Sequence, residues 1–116
     1  MIISNIDKIY NDAFGLWISG LFSAIEGNNP GLAFDDQKDA FFEILRRWLA
    51  EGKVKFCKPS DPLGEVWHAS AEEIISFLQA GWPPHVKDEH DIDLNNYFYD
   101  LPALLWVGPD GKISSS

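Results

Sequence analysis

Across Gly52 the hydrophobic period of this 116-residue chain changes from that of a helix to that of a strand. On the amino-terminal side, Ala40, Phe41, Ile44, Leu45 and Trp48 recur every three or four residues and make one apolar stripe on an α-helix. On the other side, Lys53-Val54-Lys55-Phe56-Cys57 alternates polar and apolar, as a half-buried strand does. Asp35 or Asp36 is placed to cap the helix, and the acids of its first turn suit the positive end of the helix dipole. Arg46 and Arg47 fall in its last third, and Gly52 tolerates the left-handed turn that ends it. A helix delivered straight into a strand, each with one apolar face, has to be buried in layers. The fold class is α+β.

The rest of the chain fills in that frame. Residues 5–26 place Ile6, Ile9, Tyr10, Ala13, Phe14, Trp17, Leu21 and Ile25 at helical spacing, which predicts one long helix buried on most sides. Gly27-Asn28-Asn29-Pro30-Gly31 ends it. Lys58 to Gly64 is a loop with two prolines and a glycine, followed by a short extended piece at Val66-Trp67-His68. Ser70-Ala71-Glu72-Glu73 has the capping-box pattern and opens a helix through Ile74, Ile75, Phe77 and Leu78 that Gly81 closes. Residues 88–100 fit a short helix and an alternating strand almost equally. Leu104 to Val107 is a strand, Gly108-Pro109-Asp110-Gly111 a turn, and Ile113 the start of a short returning strand. Residues 1–116 therefore form a single domain of three or four helices on a small, mostly antiparallel sheet, with Trp17, Phe41 and Trp48 in one core.

With 46% hydrophobic residues, among them eight Phe and five Trp, the chain has enough apolar area for a core without staples. Cys57 has no partner for an intramolecular disulfide, which favours a reducing compartment. Lys55 and Lys58 could activate its thiol, but a small buried residue at a strand end is the plainer reading. The opening Met1-Ile2-Ile3-Ser4 lacks the basic and cleavage segments of a signal peptide. The uncharged run Ala13 to Ile25 falls short of the ~20 residues of a membrane span. The expected location is cytoplasmic, with no membrane partner.

Charge says more about function than any motif. Between Glu65 and Asp100 stand eight carboxylates and one base, Lys87, within a chain of net charge -9. Residues 35–55, in contrast, hold five acids and five bases. Such segregation repels nucleic acid and lipid headgroups and speeds encounter with a basic surface. Direct nucleic-acid binding is not expected.

Enzymatic patterns are missing from the sequence. His85 and His90, with Asp88, Glu89, Asp91 and Asp93 around them, match no two-histidine zinc spacing, and the acids lack the glycine and closing glutamate of a calcium loop. There is no Gly-x-Ser-x-Gly elbow, and Gly27 to Gly31 lacks the lysine of a phosphate loop. We expect no catalytic residues, metal or cofactor. A small metal-dependent hydrolase using His85, His90 and nearby acids is the alternative. What remains is a binding surface: Glu72, Glu73, Asp88, Glu89, Asp91, Asp93 and Asp100 for steering, and Trp82, Tyr97 and Tyr99 as apolar anchors.

Several ordered features resemble a family of small, acidic, uncharacterised bacterial immunity proteins from toxin–immunity loci, including contact-dependent growth-inhibition systems. They are Ile6-Asp7-Lys8-Ile9-Tyr10, Phe41-Phe42-Glu43-Ile44-Leu45 running to Glu51-Gly52-Lys53-Val54-Lys55, and Gln79-Ala80-Gly81-Trp82-Pro83. Asp91-Ile92-Asp93, Tyr97-Phe98-Tyr99-Asp100 and Trp106-Val107 with Asp110-Gly111 complete the set. The ending departs from the pattern, with serines where an aromatic-rich strand is expected. The resemblance implies a monomer that neutralises a cognate toxin domain in a 1:1 complex. Nuclease toxins have basic clefts, so the expected target is a basic nuclease, an RNase in preference to a DNase. An adaptor for some other basic partner is a further alternative.

Overall fold

In the computed structural model, which describes residues 5–115, the elements in chain order are five helices and three strands. The helices are α1 (Ile6–Ala13), α2 (Ile18–Gly27), α3 (Phe34–Glu51), α4 (Ala71–Ala80) and α5 (Ile92–Asp100). The strands are β1 (Val54–Phe56), β2 (Leu104–Val107) and β3 (Ile113–Ser115), in the order β1-β2-β3 and antiparallel throughout. Val54 lies opposite Trp106, and Trp106 opposite Ser114. The class is α+β, as expected. Met1 to Ser4, where the signal-peptide expectation falls, and Ser116 lie outside the described residues. No helix among those described is long and apolar enough to cross a membrane.

The frame around Gly52 is the one its periodicity predicts. Gly52 sits at φ 76°, and Val54 and Phe56 are buried while Lys55 is only partly so. Ser70 Oγ accepts the Glu73 backbone N–H at 3.1 Å, capping α4. The start of α3 differs from expectation. Ala33 stands at the cap, two to three residues before Asp35 and Asp36, which occupy the first turn. Phe34 supplies the reason, since its ring packs on Phe22 and Trp82 and draws the helix start into the core.

The predicted single helix over 5–26 is two helices, which raises the count from three or four to five. Gly15 adopts φ +83°, a left-handed conformation that costs an ordinary residue energy. The carbonyl of Leu16 then leaves the helical ladder and accepts the Trp106 indole N–H at 2.9 Å, ninety residues away. Gly20 N–H turns instead to the Trp17 carbonyl at 2.9 Å. Leu16 sits so close to Gly20 that a Cβ there would fall 2.9 Å from the Leu16 Cβ. The break turns Trp17 outward, so the expected Trp17–Phe41–Trp48 core holds only for Phe41 and Trp48.

Residues 88–100 resolve as a helix. Asp91 accepts the Asp93 N–H at 2.9 Å and caps α5, while Leu94, Tyr97 and Phe98 point inward and Ile92 does not. Their inward faces join a ring cluster of Phe22, Phe41, Trp82 and Phe98, with centroid separations of 5.3 to 6.5 Å. The Tyr97 hydroxyl donates to the Leu78 carbonyl, tying α5 to α4.

Burial pushes the Tyr97 phenol well above its ordinary value near 10, and Cys57 is raised by burial and then by Asp61. Burial thus outweighs any lowering by Lys55 and Lys58, and Cys57 is a core thiol. Both folded groups keep their proton where the unfolded chain has lost it. Stability is therefore fully present below about pH 9 and falls as pH rises toward the folded values. Chemical denaturation from pH 8 to 12 is expected to show Tyr97→Phe about 1 kcal/mol less stable at pH 8, for the lost hydrogen bond. Above pH 10 the variant should lose stability less steeply than wild type, by up to about 1.4 kcal/mol per pH unit. Parallel profiles would show that the phenol titrates as in the unfolded chain.

Candidate functional site

Helix α5 lies beside α2, and two contacts define how. Ser23 Oγ, in the middle of α2, donates to Glu89 Oε2 at 2.9 Å, just before α5 begins. At the other end, the Trp17 and Tyr99 rings meet with centroids 6.0 Å apart. The helices run in opposite directions, and α5 carries its outer face along the molecular surface from residue 88 to residue 100.

That face combines acids with apolar groups and has no cation of its own. Ile92 and Tyr99 are 72% and 73% exposed, with Asp93, Asn96 and Asp100 exposed between and beside them. Not all of the carboxylates are free to act. Asp88 accepts the His90 N–H at 2.8 Å, Asp91 caps α5, and Glu89 holds Ser23. Among the described residues the carboxylates of Asp93 and Asp100 have no hydrogen-bond or ion-pair partner. Asp93 in the first turn is favoured by the helix dipole. Asp100 closes the helix, where the dipole's negative end opposes it by about 0.3–1 kcal/mol. A destabilising exposed carboxylate of this kind is a better functional candidate than a capping one.

At the Asp100 end the face opens into a groove of about 380 Å³. Trp17 and Ile18, Pro62 and Leu63, and the run from Phe98 to Leu104 line it. Leu63 is 89% exposed and Trp17 53%, so the two extend the apolar surface of Tyr99 outward. A cavity of about 630 Å³ between α1 and α3 is larger, but its lining mixes Lys8, Arg47 and Lys53 with Asp7 and Glu51. Lys8 is there paired to Asp12 at 2.9 Å and Lys53 to Glu51 at 3.5 Å.

The ten residues singled out from the sequence separate into three groups. Asp88, Glu89, Asp91, Asp93, Tyr99 and Asp100 share the α5 surface. Glu72 and Glu73 lie on the first turn of α4, and the distant end of that helix is the one that meets α5. Glu72 Oε1 there sits 2.8 Å from Arg46 Nε, and Arg46 also pairs with Glu43 at 3.0 Å, so one cation is shared between two acids. Tyr97 is corrected as an anchor, and Trp82 keeps only part of its ring at the surface. Tyr97 is buried, and Trp82 is half-buried among Phe22, Phe34, Phe42 and Tyr97, with Lys38 Nζ 5.1 Å above its ring.

Trp17, Leu63 and Ile92 were missed. Leu63, alone among the prolines and glycine of its loop, was the available signal. His68, His85 and His90 are all exposed, His85 at φ 66°, and no three His, Cys, Asp or Glu side chains among the described residues converge on a metal-sized site.

No family model matches the chain, and no curated protein does. Among solved structures it is similar to an uncharacterized protein conserved in bacteria, from Neisseria meningitidis. The two share 20% identity at a TM-score of 0.72, over 93% of this chain and 84% of the other. At that identity the likeness establishes a common fold and nothing about activity.

Proposed function

We propose that this chain is an immunity protein: a cytoplasmic, non-catalytic bacterial inhibitor that binds a cognate toxin domain 1:1 as a monomer. The observation that carries the reading is the outer face of α5, where unpaired Asp93 and Asp100 flank exposed Ile92 and Tyr99 beside an apolar groove. Apolar groups and acids side by side on one helix face suit a partner that is both basic and apolar. A nuclease cleft built to hold phosphates is such a partner, and an RNase is the preferred target. Complementary fields raise association toward ~10⁸–10⁹ M⁻¹s⁻¹ at low salt, the speed self-protection requires. The family resemblance of the sequence supports the same conclusion from a separate direction.

The test begins with the gene immediately upstream. The C-terminal domain of a large secreted protein encoded there is expressed with and without this chain. Rescue of growth, together with a nanomolar 1:1 complex of the purified proteins, is the expected result. A toxic domain that is neither bound nor neutralised would overturn the proposal, as would an upstream gene of ordinary metabolism.

A further inference from the structure

We propose that the groove beside Asp100 is a socket for one arginine side chain of the protein partner, an inference that rests on the reading of the α5 face as a surface for a basic protein. Its walls are apolar, and Asp100 is the one charged residue lining it. An arginine can lay its methylenes along Pro62, Leu63 and Pro102 while its head remains at the polar mouth. There the guanidinium meets the exposed surfaces of Trp17 and Tyr99, on which a cation is attracted by the ring quadrupole. The fold makes the same contact twice internally, with Lys38 Nζ 5.1 Å over Trp82 and Lys53 Nζ 5.6 Å over Tyr10.

Two further features select a cation for this position. The Asp100 carboxylate is unpaired and offers two oxygens to the guanidinium fork. Asp100 also closes α5, so the free carbonyls of the last turn add their own negative field at the same point. An arriving cation relieves the repulsion between that helix end and Asp100. Arginine suits the site better than lysine because it is planar, more weakly hydrated and able to stack and fork at once. The volume of about 380 Å³ is ample for one arginine side chain.

The probe is a capped Gly-Ser-Arg-Ser-Gly peptide titrated into the ¹⁵N-labelled full chain, beside the same peptide with citrulline or lysine in place of arginine. The arginine peptide is expected to shift the Trp17 indole N–H and the backbone amides of Leu63, Tyr99 and Leu101. Citrulline, with the same shape and no charge, should bind roughly tenfold more weakly or worse, as charge-assisted hydrogen bonds become neutral. Lysine should fall between them. Asp100→Asn and Tyr99→Ala, both at exposed positions, should each weaken the arginine peptide with the remaining spectrum unchanged, and Asp93→Asn should not.

Shifts confined to residues 88–93, equal binding of the arginine and citrulline peptides, or no shift at all would overturn the socket. The immunity reading would then stand or fall on growth rescue alone. A groove that takes the arginine peptide, in a chain that rescues no toxin-bearing cell, would uphold the socket and overturn only the immunity reading.

Discussion

Trp48→Ala is expected to lower the unfolding free energy by about 3–5 kcal/mol, the usual cost of truncating a large aromatic in a packed core. Trp48 is 0% exposed and stands where α1, α3 and β2 meet. Its ring packs edge-on to Tyr10 at 5.2 Å and against Trp106 at 6.0 Å, and the Tyr10 hydroxyl donates to the Val107 carbonyl at 2.9 Å. Removing the indole leaves a cavity beneath both partners and withdraws ring contacts that are each worth about 0.5–1.5 kcal/mol beyond the area they bury. Domains of this size are stable by only about 5–15 kcal/mol, so urea unfolding should show the loss directly. A change under about 1 kcal/mol would mean that the α3 stripe does not face the core.

The second large effect is on binding. Asp93→Lys combined with Asp100→Lys should weaken the complex with the upstream-encoded toxin domain by about 2–5 kcal/mol, at least roughly 30-fold. Neither carboxylate caps a backbone N–H, whereas reversing Asp88 or Asp91 would also remove a backbone cap. The control is Asp36→Lys with Asp39→Lys on α3, which changes net charge equally at another exposed site. Stopped-flow and surface-binding measurements at two salt concentrations separate the outcomes. Loss only in the control would leave the immunity reading in place with the interface on α3. Equal, near-wild-type binding by both would mean that charge is not how the partner is recognised.

The elements that could be read in advance share one property: the information lies within a few residues. Gly52 ends α3, alternation marks β1, Ser70 caps α4, and the Gly108 to Gly111 turn joins β2 to β3. In each case a local backbone requirement selects the residue type. The acidic character of residues 65–100 is equally a property of composition, and so was visible.

Which of those acids and aromatics reach a partner was not visible, because exposure depends on what distant segments bring against them. The Trp106 indole takes the Leu16 carbonyl, divides the first helix at Gly15 and so turns Trp17 to the surface. Phe22, Phe34 and Phe42 close around Trp82 and half-bury it, and Leu78 accepts the Tyr97 hydroxyl, which takes Tyr97 into the core. Arg46 reaches Glu72 from α3 and gives an acid that looked free a cation that it shares with Glu43. Sequence alone determined the end of α3, the alternation of β1, the cap of α4, the β2–β3 turn and the acidic character of residues 65–100, since those follow from neighbouring residues. Only the tertiary structure decided that Tyr99 and Asp100 meet Trp17 and Leu63 around one groove, because that grouping is made by contacts between segments far apart in the chain.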